Sequence, residues 1–306
     1  MGDESKAPKA SGASKAPGAR RVKREGRGRR VIALLLLIVI AIAALLFDSN
    51  TRLVTTQYKL AYPNLPPSFD GYKIAVISDT HASEFGKNNE RLVSMVTEAQ
   101  PDIIALLGDM IDHDPKPPLE EQLQIAEALV AQLVPIAPVY YITGNHEWDS
   151  GGVWQLLDML DSKGVKILRN SYVLLEAGGE NVVLAGADDP NGPSDMMKPG
   201  ELVERIAASE AGRFIIMLEH RNNRLQLYSE LGVDLLLCGH AHGGLIRLPF
   251  TDGLIGPSRD WFPTYTSGVY SMGSTNMVVS RGIGNHTGWP RLFNNPQMVV
   301  VELGAH

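Results

Sequence analysis

Five short polar clusters in this chain each follow an apolar run: Asp79-Thr80-His81, Gly108-Asp109-Met110-Ile111-Asp112, Gly144-Asn145-His146-Glu147, Glu219-His220 and Gly239-His240-Ala241-His242-Gly243-Gly244. Taken one at a time, an Asp or His after a strand is an ordinary helix cap or loop residue. Taken together that explanation weakens, because the chain has eight histidines and five of them (His81, His146, His220, His240 and His242) stand in these clusters. Carboxylate, amide and imidazole groups form mixed oxygen and nitrogen sites that suit Mn, Fe, Zn or Ni, and the residue types do not choose between them. A pair of such ions about 3.5–4 Å apart acidifies a bridging water, clamps phosphoryl oxygens and supports in-line displacement with no protein nucleophile. The chemistry to expect of such a set is metal-assisted hydrolysis.

For that chemistry the clusters have to meet. The apolar runs before them, over 73–77, 102–107, 139–142, 214–218 and 234–238, read as strands, with a further one over 277–280. Helical patterns over 89–100, 118–133, 153–162, 200–209 and 222–231 lie between. Such alternation predicts an α/β fold. Ligands of α/β sheets bind outside the carboxyl ends of the strands, so all five clusters are expected on one rim. Cys238, the single cysteine, excludes an intrachain disulfide and reads as a small buried hydrophobe.

The first 30 residues hold ten Lys or Arg against three Asp or Glu, leaving 18 basic and 31 acidic residues, a formal −13, for the rest. That excess of acid argues against a nucleic-acid polymer as partner, since such surfaces cluster basic groups on the phosphates. Residues 1–30 carry no apolar periodicity and are expected to be a disordered basic tail. The unbroken apolar run over 31–47 predicts a transmembrane anchor. A signal peptide cut at Ala41-Ile42-Ala43 is the competing reading, but it would leave Ala44 to Phe47 exposed at the new terminus. The flanking arginines and lysines predict a cytoplasmic tail and an extracytoplasmic body on a single-pass cell-membrane protein. Residues 48–70, with Pro63, Pro66 and Pro67 around a strand-like run over 53–58, read as a stiff lead-in to a domain over 71–306.

In order and setting the five clusters resemble those of the calcineurin-like metallophosphoesterases, from about Tyr72 onward. The His-Ala-His-Gly-Gly form of the last cluster, the anchor and the stretch Val278 to Gly284 are similar to a bacterial envelope-associated branch with phosphodiesterase activity. The resemblance implies a four-layer α-β-β-α sandwich and two divalent metal ions at its rim. It implies that Asp79, His81, Asp109 and His242 hold one ion, and that Asp109, Asn145, His220 and His240 hold the other, with Asp109 shared. His146 is then free to protonate the leaving oxygen or to bind a phosphoryl oxygen. Asp112 and Glu147 are expected to orient histidine ligands. Arg281 and Asn285 are candidates for a phosphate contact, Arg281 being equally readable as a surface ion pair, while His113 and His286 read as loop residues. Leu245, where a Gln is expected, and Arg221-Asn222-Asn223, where a Pro is frequent after the His, depart from the family pattern without removing a ligand.

The expected partner is a phosphorylated small molecule or a lipid-linked substrate. A catalytically silent phosphate-binding module and a protein phosphatase are the alternatives; the first is opposed by the full ligand set, and nothing in the sequence marks a peptide groove for the second. The aromatic stretch Leu248-Pro249-Phe250 to Asp260-Trp261-Phe262-Pro263-Thr264-Tyr265 admits two readings. Its rings either pack the loop onto the sheets or face a membrane surface.

Overall fold

The computed structural model describes residue 12 and residues 19–305 apart from 115, 250, 258, 285–287 and 289. The chain forms two compact units, Met1–Leu45 and Leu46–His306. In the first, the helix α1 (Ala19–Thr51) begins; its last turn belongs to the second unit. Large apolar side chains from Val31 to Phe47 are exposed around this helix, a surface that suits lipid and not water. The segment Arg27–Thr51 is 25 residues long, and at about 1.5 Å per residue it is sufficient for a hydrocarbon core of about 30 Å.

The helix exceeds the expected 31–47 at both ends. Residues 19–30 were expected without structure, yet they are helical from Ala19. Arg, Lys and Ala are good helix formers, and a helix nucleated in the apolar run extends into them at little cost. Residues 1–11 and 13–18 of the expected tail lie outside the described residues. At the other end, Asp48 to Thr51 complete the helix instead of opening the lead-in.

The second unit runs through β1 (Val54–Tyr62), β2 (Lys73–Ile77), α2 (Glu90–Ala99), β3 (Ile103–Leu106), α3 (Leu119–Leu133), β4 (Val139–Tyr141), α4 (Asn145–Asp149), α5 (Val153–Ser162) and β5 (Lys166–Ile167). It continues with β6 (Ser171–Ala177), β7 (Glu180–Gly186), α6 (Pro199–Ser209), β8 (Ile215–Glu219), α7 (Leu225–Glu230) and β9 (Leu235–Cys238). The short strands β10 (Ile246–Arg247) and β11 (Gly253–Ile255) follow, then β12 (Gly268–Met272), β13 (Thr275–Val279) and β14 (Gln297–Ala305). One six-stranded sheet has the order β1-β14-β2-β3-β4-β5 and the other β12-β13-β9-β8-β7-β6.

Alternate residues of a strand face opposite sides of its sheet, and here both sides are apolar. Ile74, Val76, Ile103 and Ala105 of the first sheet meet Leu184, Ile216, Leu218 and Leu237 of the second in a central core. Their neighbours Ala75, Ile77, Ile104 and Leu106 pack outward under α2, α3 and α5. Val183, Ala185, Met217 and Leu236 pack outward under α6 and α7. Three apolar layers therefore separate four structural ones, an α-β-β-α sandwich. The hairpin β6–β7 was not expected, although it turns on Gly178 and Gly179, both at positive φ (55° and 84°), the two-residue turn that such hairpins favour.

Candidate metal centre

The strands β2, β3 and β4 run parallel in one sheet and β8 and β9 run parallel in the other, so the polar cluster after each emerges at a carboxyl end. Asp79 and His81 follow β2, Asp109 and Asp112 follow β3, Asn145 to Glu147 open α4 beyond β4, His220 follows β8, and His240 and His242 follow β9. The structure brings all of them together. Oδ2 of Asp109 lies 3.1 Å from Nε2 of His220, 3.8 Å from Nε2 of His81 and 3.9 Å from Nε2 of His146. On one side of it, Nε2 of His81 and Nε2 of His242 are 3.2 Å apart, with Oδ1 of Asp79 3.5 Å from the latter. On the other, Nε2 of His220 is 3.2 Å from Oδ1 of Asn145 and 3.3 Å from Nδ1 of His240.

The donor atoms of Asp79, His81 and His242 lie within 4.8 Å of one another, as do those of Asp109, His220 and His240 and those of His81, Asp112 and His146. Each group could hold a divalent cation. Imidazole nitrogens pointed at each other, as in the His81–His242 and His220–His240 contacts, are satisfied better by a shared cation than by a single proton. Burial of Asp79 pushes its carboxyl up to about 6, whereas His220, His81 and His146 hold Asp109 well below the usual carboxylate range in spite of its burial. Burial and the neighbouring His220 push His240 down to about 3, whereas Asp109 and Asp79 raise His220 well above the usual imidazole range in spite of its burial.

These positions are held at a backbone cost. Asp79, His81, Asp109, His240 and His242 all have left-handed φ angles between 43° and 66°, a conformation that costs on the order of 1–3 kcal/mol each outside glycine. Hydrogen bonds lock the turns together: Asp79 N donates to Gly108 O (3.1 Å), His81 N to Asp109 O (2.9 Å) and His240 N to Oδ1 of Asp79 (3.0 Å). Gly108 sits against the backbone of Gly144, where any Cβ would collide. The loops after β3 and β4 approach closely enough for the site only because of that glycine.

Glu147 was expected beside a histidine, but among the described residues its carboxylate is hydrogen-bonded to backbone N–H groups. It is fully buried and accepts hydrogen bonds from the backbone N–H groups of Asp109 (2.9 Å), Met110 (2.6 Å) and Gly144 (2.8 Å). Its position at the start of α4 points it back toward the chain, so it fixes the turn that carries Asp109. Burial and the charge of Asp109 push it up to about 7. Asp112 lies against two histidines: Oδ1 is 3.0 Å from Nδ1 of His146 and Oδ2 is 3.5 Å from Nδ1 of His81. Burial works against the Asp112 charge, but His146 and His81 hold the carboxyl at about 2. His146 is in turn raised by Asp112 and Asp109 in spite of its own burial. His113 lies on the loop as expected, and its ring also packs 4.6 Å from that of His146.

Arg281 is largely buried, and burial and the nearby Arg247 lower its pKa; its side chain lies beside Gly243 of the last polar cluster. Asn285 and His286 lie outside the described residues. The arginine that does reach the centre is Arg291, which no sequence feature marked: it is 1% exposed, with Nη2 3.3 Å from Nδ1 of His242. Arg221 is tied by two hydrogen bonds to the buried Asp189, at 2.7 and 3.0 Å. Beside it, a cavity of about 230 Å³ opens at His240 between Asn222, Asn223, Asp260, Pro263 and Thr264.

The aromatic stretch near that cavity divides. Tyr265 packs edge-on against Tyr270, at 4.9 Å between centroids, whereas Trp261 and Phe262 are 70% and 71% exposed. Packing onto the sheets is thus excluded for the latter two, and Phe250 lies outside the described residues. Cys238 is buried, and burial raises its thiol well above the usual range.

Residues 72–244 match the family description "Calcineurin-like phosphoesterase". The chain is 30% identical over 252 residues to the uncharacterized metallophosphoesterase YkuE of Bacillus subtilis, covering 81% of this chain and 85% of that one. It is 27% identical to phosphodiesterase YaeI of Escherichia coli, over 76% of this chain and 82% of the relative. It is also 27% identical to a zebrafish (Danio rerio) transmembrane protein with metallophosphoesterase domain, over 83% of this chain but 58% of that longer protein.

Proposed function

Because the chain belongs to the calcineurin-like phosphoesterase family, we propose that this hydrolase of phosphoester bonds cleaves a diester or a pyrophosphate, using two divalent metal ions, at an extracytoplasmic membrane surface. The observation that carries the reading is the position of Asp109, whose Oδ2 lies within 3.8 Å of a histidine nitrogen of each group. Asp79, His81, Asp109 and His242 would hold one ion, and Asp109, Asn145, His220 and His240 the other. Bound there, the pair supplies Lewis acidity and an activated water for attack at phosphorus.

The chain's own residues complete the reaction. Asp112 accepts the Nδ1 proton of His146, which leaves Nε2 as the nitrogen that faces the centre. Asp112 and Asp109 raise the pKa of His146 in spite of its burial, which favours the protonated form that would protonate the departing oxygen, and such help is worth about 10²–10⁴-fold. Glu147 and Asp112 position and do not react. Full retention of the ligand types favours catalysis over a silent phosphate-binding module.

Membrane action is supported by α1 and by the arginine-rich residues that precede its apolar part, which favour a cytoplasmic amino terminus. The exposed Trp261 and Phe262 suit the boundary between lipid and water. Spheroplasts carrying the full chain should hydrolyse an impermeant nitrophenyl diester added outside when Mn is supplied. Hydrolysis only after lysis would reverse the orientation, and none in either case would remove the activity.

A further inference from the structure

The last turn of α1 is built into the same network as the candidate metal ligands. Asn50 pairs with the backbone of Arg291 in both directions: its Nδ2 donates to Arg291 O and its Oδ1 accepts from Arg291 N, each at 2.9 Å. One residue earlier, the hydroxyl of Ser49 accepts from Phe293 N at 3.0 Å. Asp48 O accepts from Nδ2 of Asn295 at 2.8 Å. Three consecutive residues of the helix end thus grip the segment 291–295. Ser49 is 2% exposed, so this is a buried joint.

The far side of that segment faces the centre. Nδ2 of Asn294 donates to His242 O at 2.6 Å, and Nη2 of Arg291 stands 3.3 Å from the His242 ring. The buried guanidinium of Arg291 also donates from Nη1 to Arg281 O (2.8 Å) and from Nη2 to Gly284 O (2.5 Å). Gly284 N in turn donates to Asp79 O at 2.7 Å. His242 and Asp79 belong to the same donor group; His240 is reached only beyond them, through its backbone N–H on the Asp79 carboxylate (3.0 Å), and among the described residues no such link from the helix end reaches His220.

We propose that the end of the membrane helix is a positioning element for one metal position and not the other: Ser49 and Asn50 set the segment 291–295, and Arg291 and Asn294 pass that setting to His242 and Asp79. The proposal rests on the two-metal reading above. It makes the anchor part of the enzyme's metal chemistry as well as its tether, and it gives Arg291 a role in holding the Asp79–His81–His242 group.

The test is a Mn(II) titration of the full chain in detergent after chelator stripping, followed by electron paramagnetic resonance and by the melting temperature. The wild type should bind two ions and show the signal of an exchange-coupled pair. Asn50→Ala and Arg291→Met should bind one ion as the wild type does and the other about 10–100-fold more weakly, the usual size of such indirect effects. The coupled signal should give way to an isolated Mn(II) signal, and Arg291→Lys should restore part of it. Thr51→Ala, which removes a hydroxyl that among the described residues bonds to Phe47 O within the helix, should change neither readout. Wild-type binding of both ions by Asn50→Ala would overturn the proposal, as would equal weakening of both ions; should Arg291→Met fail to fold, Asn50→Ala decides alone. A wild type that binds a single ion would overturn the two-metal reading, and this proposal with it.

Discussion

His146 and Asp109 touch, yet their tasks separate. The backbone N–H of His146 donates to Oδ1 of Asp109 at 2.9 Å, while its ring is aligned through Nδ1 by Asp112. Removing the ring therefore leaves the Asp79–His81–His242 and Asp109–His220–His240 groups in place. His146→Asn should keep near-normal metal content and lose about 10²–10⁴-fold in rate on alkyl diesters, with a smaller loss on nitrophenyl diesters, whose leaving oxygen needs no proton. Measured kcat values that fall equally on both substrates would count against proton delivery by His146. Asp112 was expected beside a histidine, and its Oδ1 lies 3.0 Å from Nδ1 of His146. Glu147 was not readable as the clamp on the Asp109 turn, because sequence adjacency does not say which way a carboxylate points. Arg291 was unreadable altogether, since an arginine in a loop is ordinarily a solvated residue.

At the scale of elements, the rim is made by strand ends and closed by loops. The apolar runs before the five clusters matched β2, β3, β4, β8 and β9 closely, because strands buried on both faces are apolar at every position. The partly exposed β6 and β12 carry no such signal and were missed, as was β14, although it pairs along all of β1 from Val54 to Tyr62. The loop carrying Trp261 and Phe262 is hydrogen-bonded back to β11 through Phe262 N and Leu254 O at 2.9 Å, so its two exposed rings are presented by an ordered turn. Replacing both with Ser should leave the melting temperature nearly unchanged and spare hydrolysis of a small soluble diester. Hydrolysis of a lipid-linked phosphoester in vesicles should drop severalfold. Equal loss on both substrates would return these rings to a structural role.

The chain contains an apolar helix, a four-layer sandwich and a rim where two sheets bring candidate metal ligands around one carboxylate. The layer order followed from the resemblance, whereas composition and periodicity alone reached only α/β, since nothing in a strand's own pattern says which sheet it joins. The central claim is that two ions act together across Asp109, and the rate itself can count them. Full chain stripped with a chelator and titrated with Mn(II) should show turnover of a nitrophenyl diester that rises to a plateau near two equivalents per chain, and Asp109→Asn should show almost none at any point of the same titration. A plateau at one equivalent, turnover that survives the chelator, or full activity of Asp109→Asn would contradict the account.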